Sequence, residues 1–296
     1  MTIPTPRTRR VLINTDTKNE ADDQFAIVHA LLSETLDVRG LIAAHFGTSR
    51  SSTSMLDSRA EIDLLLEHLA MPEVRVENGA ASALADEASP ADSPGARLII
   101  EEAHRTDAGP LQIAFLGPLT DMASALLLDP SIAQTDTTVI WIGGPGYGDR
   151  EPEERAEFNL RNDIAAANVV FRSGIRLWQV PRTAYVMTSV GYAELEEKVA
   201  PCGELGEYLV RQLTDWNETW HAEPIEHRAL GDSPAIGLML NPLGGLFRTV
   251  AAPTFGAEGG LLPGGRHTVR VCEMYDGRYL LEDMFAKLRR FAGVRS

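Results

Sequence analysis

Short apolar runs alternate with longer stretches of helical period along most of the chain. Residues 11–13 form an apolar run, and the stretch from Asp22 to Leu32 is apolar on nearly all sides, the pattern of a buried helix. Residues 38–44 predict a second strand. After Ser51, Met55, Ile62, Leu65, Leu66 and Leu69 recur at helical spacing, and residues 73–76 predict a short third strand. The alternation resumes with a helix over 96–105, a strand over 111–116, a helix over 119–128, a strand over 138–142, a helix over 163–172 and a strand over 175–180. Such a series predicts an α/β fold: one domain spanning residues 1–296, with a mainly parallel open sheet flanked by helices.

Beyond Val186 the pattern changes to helices over 192–199, 203–220 and 233–240, then a glycine-rich loop over 251–266, a strand over 268–272 and a closing helix over 282–291. Two segments fall outside the periodic pattern. Residues 1–10 read as a loose lead-in, and 79–96, rich in Ala, Ser, Asp and Pro, as a long loop or mobile lid. An acidic, irregular stretch also runs up to Glu157.

Composition narrows the ligand classes. A net charge of −15 disfavours nucleic acid or an anionic membrane as the main partner. No apolar run has the length of a membrane span, and the first ten residues lack the apolar core of a secretory signal. The two cysteines, Cys202 and Cys272, have neither metal-type spacing nor a disulfide framework. A cytoplasmic protein with reduced thiols is the expectation.

The candidate chemistry starts where the first strand hands over to the first helix. Asn14-Thr15-Asp16 ends the strand, and Asp22-Asp23 opens the helix after a polar turn containing Glu20. In an open α/β sheet, ligands bind outside the carboxyl ends of the strands. Carboxylates crowded there repel unless protons or a cation intervene, and a hard cation such as Ca²⁺ takes six to eight oxygens. Turn and helix-capping chemistry is the plainer reading of the same acids. The glycine loop at 143–148 lacks a following Gly-Lys-Ser/Thr, no Gly-x-Gly-x-x-Gly follows the first strand, and no Gly-x-Ser-x-Gly elbow occurs. Nucleotide-phosphate and serine-hydrolase sites therefore have no support.

Three later pieces match the opening stretch: Leu116-Gly117-Pro118-Leu119-Thr120-Asp121, Ala156-Glu157-Phe158-Asn159 and Gly231-Asp232-Ser233-Pro234. With these the sequence resembles the nucleoside hydrolase family, calcium-dependent enzymes that cut the N-glycosidic bond of ribonucleosides. The family's Asp-x-Asp, turn, Asp-Asp opening stands here as Asn14 to Asp16 and Asp22-Asp23. Its Gly-Gly-Leu-Thr-Asn stands as Gly117 to Asp121, its Ala-Glu-Phe-Asn as Ala156 to Asn159, and its helix-opening Asp falls on Asp232.

The resemblance implies Ca²⁺ held by Asp16, Asp23, the Leu116 carbonyl and Asp232, with the ribose hydroxyls bound by Asp22, Glu157, Asn159 and Asp232. It also implies a nucleoside or related N-riboside as substrate, and a homodimer or homotetramer. In such a site Asp16 serves as general base toward a metal-bound water. The departures are Asn14 for the first Asp, a turn two residues longer, Gly231 where many members place a His, and Thr183-Ala184-Tyr185-Val186 where the family has Asp-x-Thr-His. Leaving-group activation then falls to candidates in the region of Trp216, Trp220, His221 and His227, the two tryptophans sharing a helix face on which a flat base could stack. A binding protein that has lost hydrolysis, or a hydrolase of another glycoside, are the alternatives. The preferred base stays open.

Overall fold

β1 (Arg9–Thr15) is buried on both faces from Arg10 onward, as a central parallel strand must be. It is followed by α1 (Asp23–Leu31), β2 (Leu36–Ala43), α2 (Ser54–Leu69), β3 (Val76–Asn78), α3 (Pro94–Ala103), β4 (Leu111–Phe115), α4 (Thr120–Leu128) and β5 (Thr137–Ile142). The chain continues through α5 (Phe158–Asn162), α6 (Ile164–Ser173), β6 (Arg176–Val180), α7 (Arg182–Tyr185), β7 (Ser189–Gly191), α8 (Tyr192–Lys198) and α9 (Gly203–Trp220). It ends with β8 (His227–Ala229), α10 (Ser233–Leu240), β9 (Gly245–Ala251), β10 (Thr254–Phe255), β11 (Leu261–Leu262), β12 (Thr268–Tyr275) and α11 (Gly277–Arg295). The molecule is described here from a computed structural model covering residues 8–106, 109–148 and 155–295.

The central sheet has eight strands in the order β3-β2-β1-β4-β5-β6-β12-β9. Every neighbouring pair is parallel except β12 with β9. Helices cover both faces. Phe25, Ile62, Leu209, Ile236 and Phe285 pack into a core on one side, and Ile99, Met122 and Val170 into a core on the other. This is the mixed α/β architecture with a mainly parallel sheet that the alternating pattern predicts. From β1 the chain builds outward through β2 and β3, then returns to β4 on the opposite side and continues through β5 and β6. The order therefore reverses between β1 and β4, and a crevice opens at their carboxyl ends. Among the described residues no helix is long and apolar enough to cross a membrane.

The structure redraws several boundaries. Arg9 and Arg10, assigned to the lead-in, belong to β1: the backbone pairs with β2, and the buried Arg10 guanidinium binds Glu102 at 3.2 Å and the Gly109 carbonyl at 2.9 Å. Residues 1–7 of that lead-in, and 149–154 of the acidic stretch before Glu157, lie outside the described residues. The third strand is Val76–Asn78 rather than 73–76, because its position is set by pairing with Leu41 to Ala43 of β2 and not by its own apolar residues. The 79–96 loop is pinned rather than lid-like. The Ala80 amide donates to Asp121 at 2.8 Å, the Leu84 amide to Asp163 at 2.9 Å, and the Ser93 hydroxyl to Asp121 at 2.6 Å. Ser93 also caps α3, which starts at Pro94. The sequence reading lacks α5, a single turn capped by Glu157, and β9, an edge strand whose faces are only partly covered.

Candidate metal centre and adjoining cleft

Asp16 directly follows β1, and the Leu116 carbonyl directly follows β4, so both stand at the crevice where the strand order reverses. The Leu116 amide donates to the Asn14 carbonyl at 2.9 Å, which locks these two strand ends together. The turn after Asp16 closes through the Asn19 amide on the Asp16 carbonyl at 2.7 Å and delivers Asp22 and Asp23 to the start of α1. From far along the chain, α10, whose Ile236 shares a core with Phe25 of α1, brings Asp232 to the same place. Asp22, Asp23 and Asp232 can each offer a carboxylate oxygen such that all three lie within 4.8 Å of one another. Asp16 lines the same small pocket beside this triad, together with Leu116 and Asn159.

Helix capping does not explain these acids. Asp22 and Asp232 occupy the N-cap positions of α1 and α10, yet neither side chain makes a capping hydrogen bond. Elsewhere the same chain uses capping side chains in the ordinary way: Asp163 accepts from the Ala166 amide at 2.8 Å, and Glu157 accepts from the Leu160 amide at 3.0 Å. At the crevice, Asp23 and Asp232 hydrogen-bond each other instead. All four aspartates are buried, Asp16 and Asp23 at 1% exposure, Asp232 at 5% and Asp22 at 8%.

Burial and mutual repulsion push these carboxyls upward. Burial raises Asp16 well above the usual carboxylate range, and the charges of Asp23, Asp22 and Glu20 add to it. Asp232 is raised well above that range by burial and by Asp23, Asp22 and Asp16. Burial lifts Asp22 to about 7 against the downward pull of Arg228, and Asp23 to about 6 against hydrogen bonds from Thr15 and Asp232. One oxygen of Asp16, Oδ2, is buried with no hydrogen-bond partner. A buried acceptor left unpaired costs about 1–3 kcal/mol. An all-oxygen donor set of buried, mutually repelling carboxylates beside a strand-end carbonyl fits a hard divalent cation.

The rest of the pocket is built from neighbouring loops. Gly117 lets Asp16 lie flat against the β4 end: a Cβ at that position would fall 2.9 Å from Asp16 Cγ. Asn159 donates through Nδ2 to the Leu116 carbonyl at 2.6 Å and the Ile142 carbonyl at 2.9 Å, leaving its side-chain oxygen as an acceptor. Glu157 is more heavily engaged. Its Oε2 accepts from the Gly144 amide at 2.7 Å and the Leu160 amide, and its Oε1 accepts from the Asn159 amide at 3.2 Å and the Tyr185 hydroxyl at 2.9 Å. The glycine loop thus serves as a donor to Glu157, with Gly144 at a φ of +79° that favours glycine.

Asn14 and Asp121, two departures from the expected motifs, are partners. Asn14 Nδ2 donates to Asp121 Oδ2 at 2.8 Å. The resemblance places an Asp and an Asn at these positions, and here the two residue types are exchanged, so the acid–amide pair survives with its polarity reversed.

The inner pocket, about 60 Å³, adjoins an outer cleft of about 920 Å³, and Glu20, Asp22, Glu157, Phe158, Tyr185 and Gly231 line both. His221 and His227 line the outer cleft, but Trp216 and Trp220 line neither space. Their surroundings explain why. The Arg228 guanidinium sits 3.9 Å from the Trp216 ring centroid, Arg50 sits 5.1 Å from that of Trp220, and Trp216 Nε1 donates to the Asn19 carbonyl at 3.2 Å. Arg228 also pairs with Glu20. Trp216 and the two arginines therefore brace the lengthened turn, and Trp220, 55% exposed and stacked with Arg50, lies outside both spaces. Sequence reasoning missed Phe158 as a lining residue, and it noted Glu20 and Tyr185 only as departures. Their placement depends on contacts far apart in the chain.

A family model described as inosine-uridine preferring nucleoside hydrolase matches residues 11–281. A probable uridine nucleosidase 1 of Oryza sativa subsp. japonica is 25% identical, the match covering 70% of this chain and 69% of that protein. The non-specific ribonucleoside hydrolase RihC of Escherichia coli is 32% identical over 57% of this chain and 60% of its own length, so the match spans less than two thirds of that relative. Among solved structures, a plant nucleoside hydrolase superposes with a TM-score of 0.79 at 21% identity, covering 95% of this chain and 99% of the other. A purine-preferring ribonucleoside hydrolase from Gardnerella vaginalis superposes at 0.78 and 18% identity, covering 97% of this chain and all of its own. At these identities the two structures speak to the fold alone.

Proposed function

The chain belongs to the inosine-uridine preferring nucleoside hydrolase family, a family of N-glycosidases, and from that premise we propose that it hydrolyses the N-glycosidic bond of a ribonucleoside or related N-riboside with the help of Ca²⁺. The observation that carries this reading is that the acids opening α1 and α10 leave their caps and meet each other in a buried pocket at the strand-order reversal. Asp16, Asp23, Asp232 and the Leu116 carbonyl are the proposed ligands, and the unpaired Asp16 oxygen supports that role. A bound divalent cation supplies neutralising charge, anchors a vicinal diol and lowers the pKa of its water.

Each residue then has a defined task. Asp16 accepts the proton of the attacking water at its carboxylate, as a general base. Asp22 and Asp232 accept from the ribose hydroxyls, and the Asn159 side-chain oxygen does the same while its amide stays on the strand-end carbonyls. Glu157 contributes at the rim of the sugar pocket. Because both its oxygens already accept two hydrogen bonds, a sugar hydroxyl there competes with the Asn159 amide or with Tyr185. As the glycosidic bond lengthens, positive charge grows on the sugar, and buried carboxylates around it stabilise that charge where it develops. The inner pocket takes the ribose, and the leaving group points toward the outer cleft.

The test is hydrolysis of uridine and inosine with added Ca²⁺, after chelation and after Ca²⁺ is restored, for the wild type and Asp16→Ala. Release of ribose that is lost on chelation, regained with Ca²⁺ and absent from a folded Asp16→Ala protein is the expected result. Undiminished turnover in a metal-free Asp16→Ala protein contradicts the proposal.

A further inference from the structure

The geometry points to Tyr185 as the residue against which the leaving group packs, with Gly231 kept without a side chain to make room for its ring. This rests on the reading that the inner pocket holds a ribose. Tyr185 ends the short helix α7 and lines both the inner pocket and the outer cleft, so it stands at the passage between them. A Cβ built on Gly231 would fall 2.9 Å from Tyr185 Cδ2, 3.4 Å from Cε2 and 3.2 Å from Asp22 Oδ2. The ring edge therefore occupies the space that a side chain at 231 would need. Gly231 is neither at positive φ nor in a turn that demands glycine, so close approach to the ring explains its identity.

The hydroxyl of Tyr185 has a separate duty. It donates to Glu157 Oε1 at 2.9 Å, and Glu157 is itself fixed by three backbone amides. This bond holds the ring at the passage and commits the phenolic proton to Glu157. Tyr185 thus selects and positions the leaving group through its ring, and does not supply the proton that departs with it. A flat, largely apolar aglycone is the chemistry that such a ring recognises, because every nucleobase has a face or edge that packs on an aromatic side chain.

The experiment compares wild type, Tyr185→Phe and Tyr185→Ala, each loaded with Ca²⁺. It measures kcat/KM for uridine, inosine and p-nitrophenyl riboside, whose leaving group needs no proton, and the inhibition constant of free ribose. Tyr185→Ala is expected to lower kcat/KM for uridine and for inosine by about tenfold, the size of one base–aromatic contact, while ribose inhibition stays within about twofold. Tyr185→Phe, which keeps the ring, is expected to retain most of the wild-type kcat/KM for nucleosides. In the same series Gly231→Ala should lower kcat/KM for nucleosides, and adding Tyr185→Ala should cause little further loss, since the two changes act on one contact.

The inference is overturned if Tyr185→Ala leaves kcat/KM for the nucleosides unchanged. It is also overturned if ribose inhibition weakens as much as nucleoside turnover, or if Tyr185→Phe loses nucleoside turnover while keeping p-nitrophenyl riboside turnover, the mark of a proton donor. If the wild type neither hydrolyses an N-riboside nor is bound by ribose, the proposed function itself fails and this inference fails with it. Ribose inhibition in the wild type distinguishes the two failures.

Discussion

Calcium affinity should fall steeply as the pH drops from about 8 to about 6. Metal binding needs ionised carboxylates, and in the metal-free protein protons compete for them. With Asp22 at about 7 and Asp23 at about 6, both are ionised at pH 8. At pH 6 Asp22, which adjoins the ligands, is mostly protonated and withdraws its charge from the site, and Asp23, a proposed ligand, is half protonated, which by itself weakens binding about twofold. That twofold is a lower bound, because burial raises Asp16 and Asp232, the other proposed carboxylate ligands, as well. The sign for stability follows from the same shifts. Folded pKa values above the unfolded ones mean that the metal-free fold binds extra protons, so its stability falls as the pH rises from about 4 through the folded values. Saturating Ca²⁺ should oppose that fall. Calorimetric titration at pH 8, 7 and 6, in two buffers of different ionisation enthalpy, reads both the affinity and the protons released. An affinity constant across this range, with equal heats in the two buffers, would refute the reasoning.

Three substitutions probe the supports of the site. Gly117→Ala places a methyl 2.9 Å from Asp16 Cγ, where about 3.5–4.0 Å is comfortable, so the Asp16 carboxylate must shift. The expected outcome is a fall in kcat of about 10- to 100-fold with little change in Tm, measured on uridine at saturation. Asn14→Asp sets two buried acids against each other in place of the 2.8 Å amide bond and should cost about 2–3 kcal/mol in denaturant unfolding. Adding Asp121→Asn should restore most of that loss, whereas equal loss in the double variant would dissolve the exchanged-pair account. Glu157→Gln replaces an acceptor of four hydrogen bonds by an amide that must face donors, and should cost about 1–3 kcal/mol, read as a lower Tm in the metal-free protein.

The sheet was legible because its central strands are short apolar runs separated by helices of clear period, and burial on both faces leaves little else for such runs to be. The edge was not: β9 alternates weakly, and β3 is placed by its partner rather than by its own residues. Asp16, Asp22 and Asp23 could be grouped from sequence since eight positions hold them all. Asp232 joined them only through motif likeness, and the fold supplies the physical reason by aiming α10 at the same crevice. What could not be read were pairings between remote side chains. Trp216 and Trp220 share a helix face, as their spacing predicts, but Arg228 packs on Trp216, which bonds the Asn19 carbonyl and braces the turn, and both rings stand outside the cleft. Asn14 stood as a departure and Asp121 only as the end of a matching segment, and the adjacency of β1 and β4 shows that each answers the other.

A crystal structure of the protein grown with Ca²⁺ and ribose tests the central claim most directly. The account predicts one ion bonded to carboxylate oxygens of Asp16, Asp23 and Asp232 and to the Leu116 carbonyl, with two vicinal ribose hydroxyls completing its shell. Water alone between these acids at saturating Ca²⁺, or an ion bound elsewhere with the four aspartates still protonated and facing one another, would contradict it.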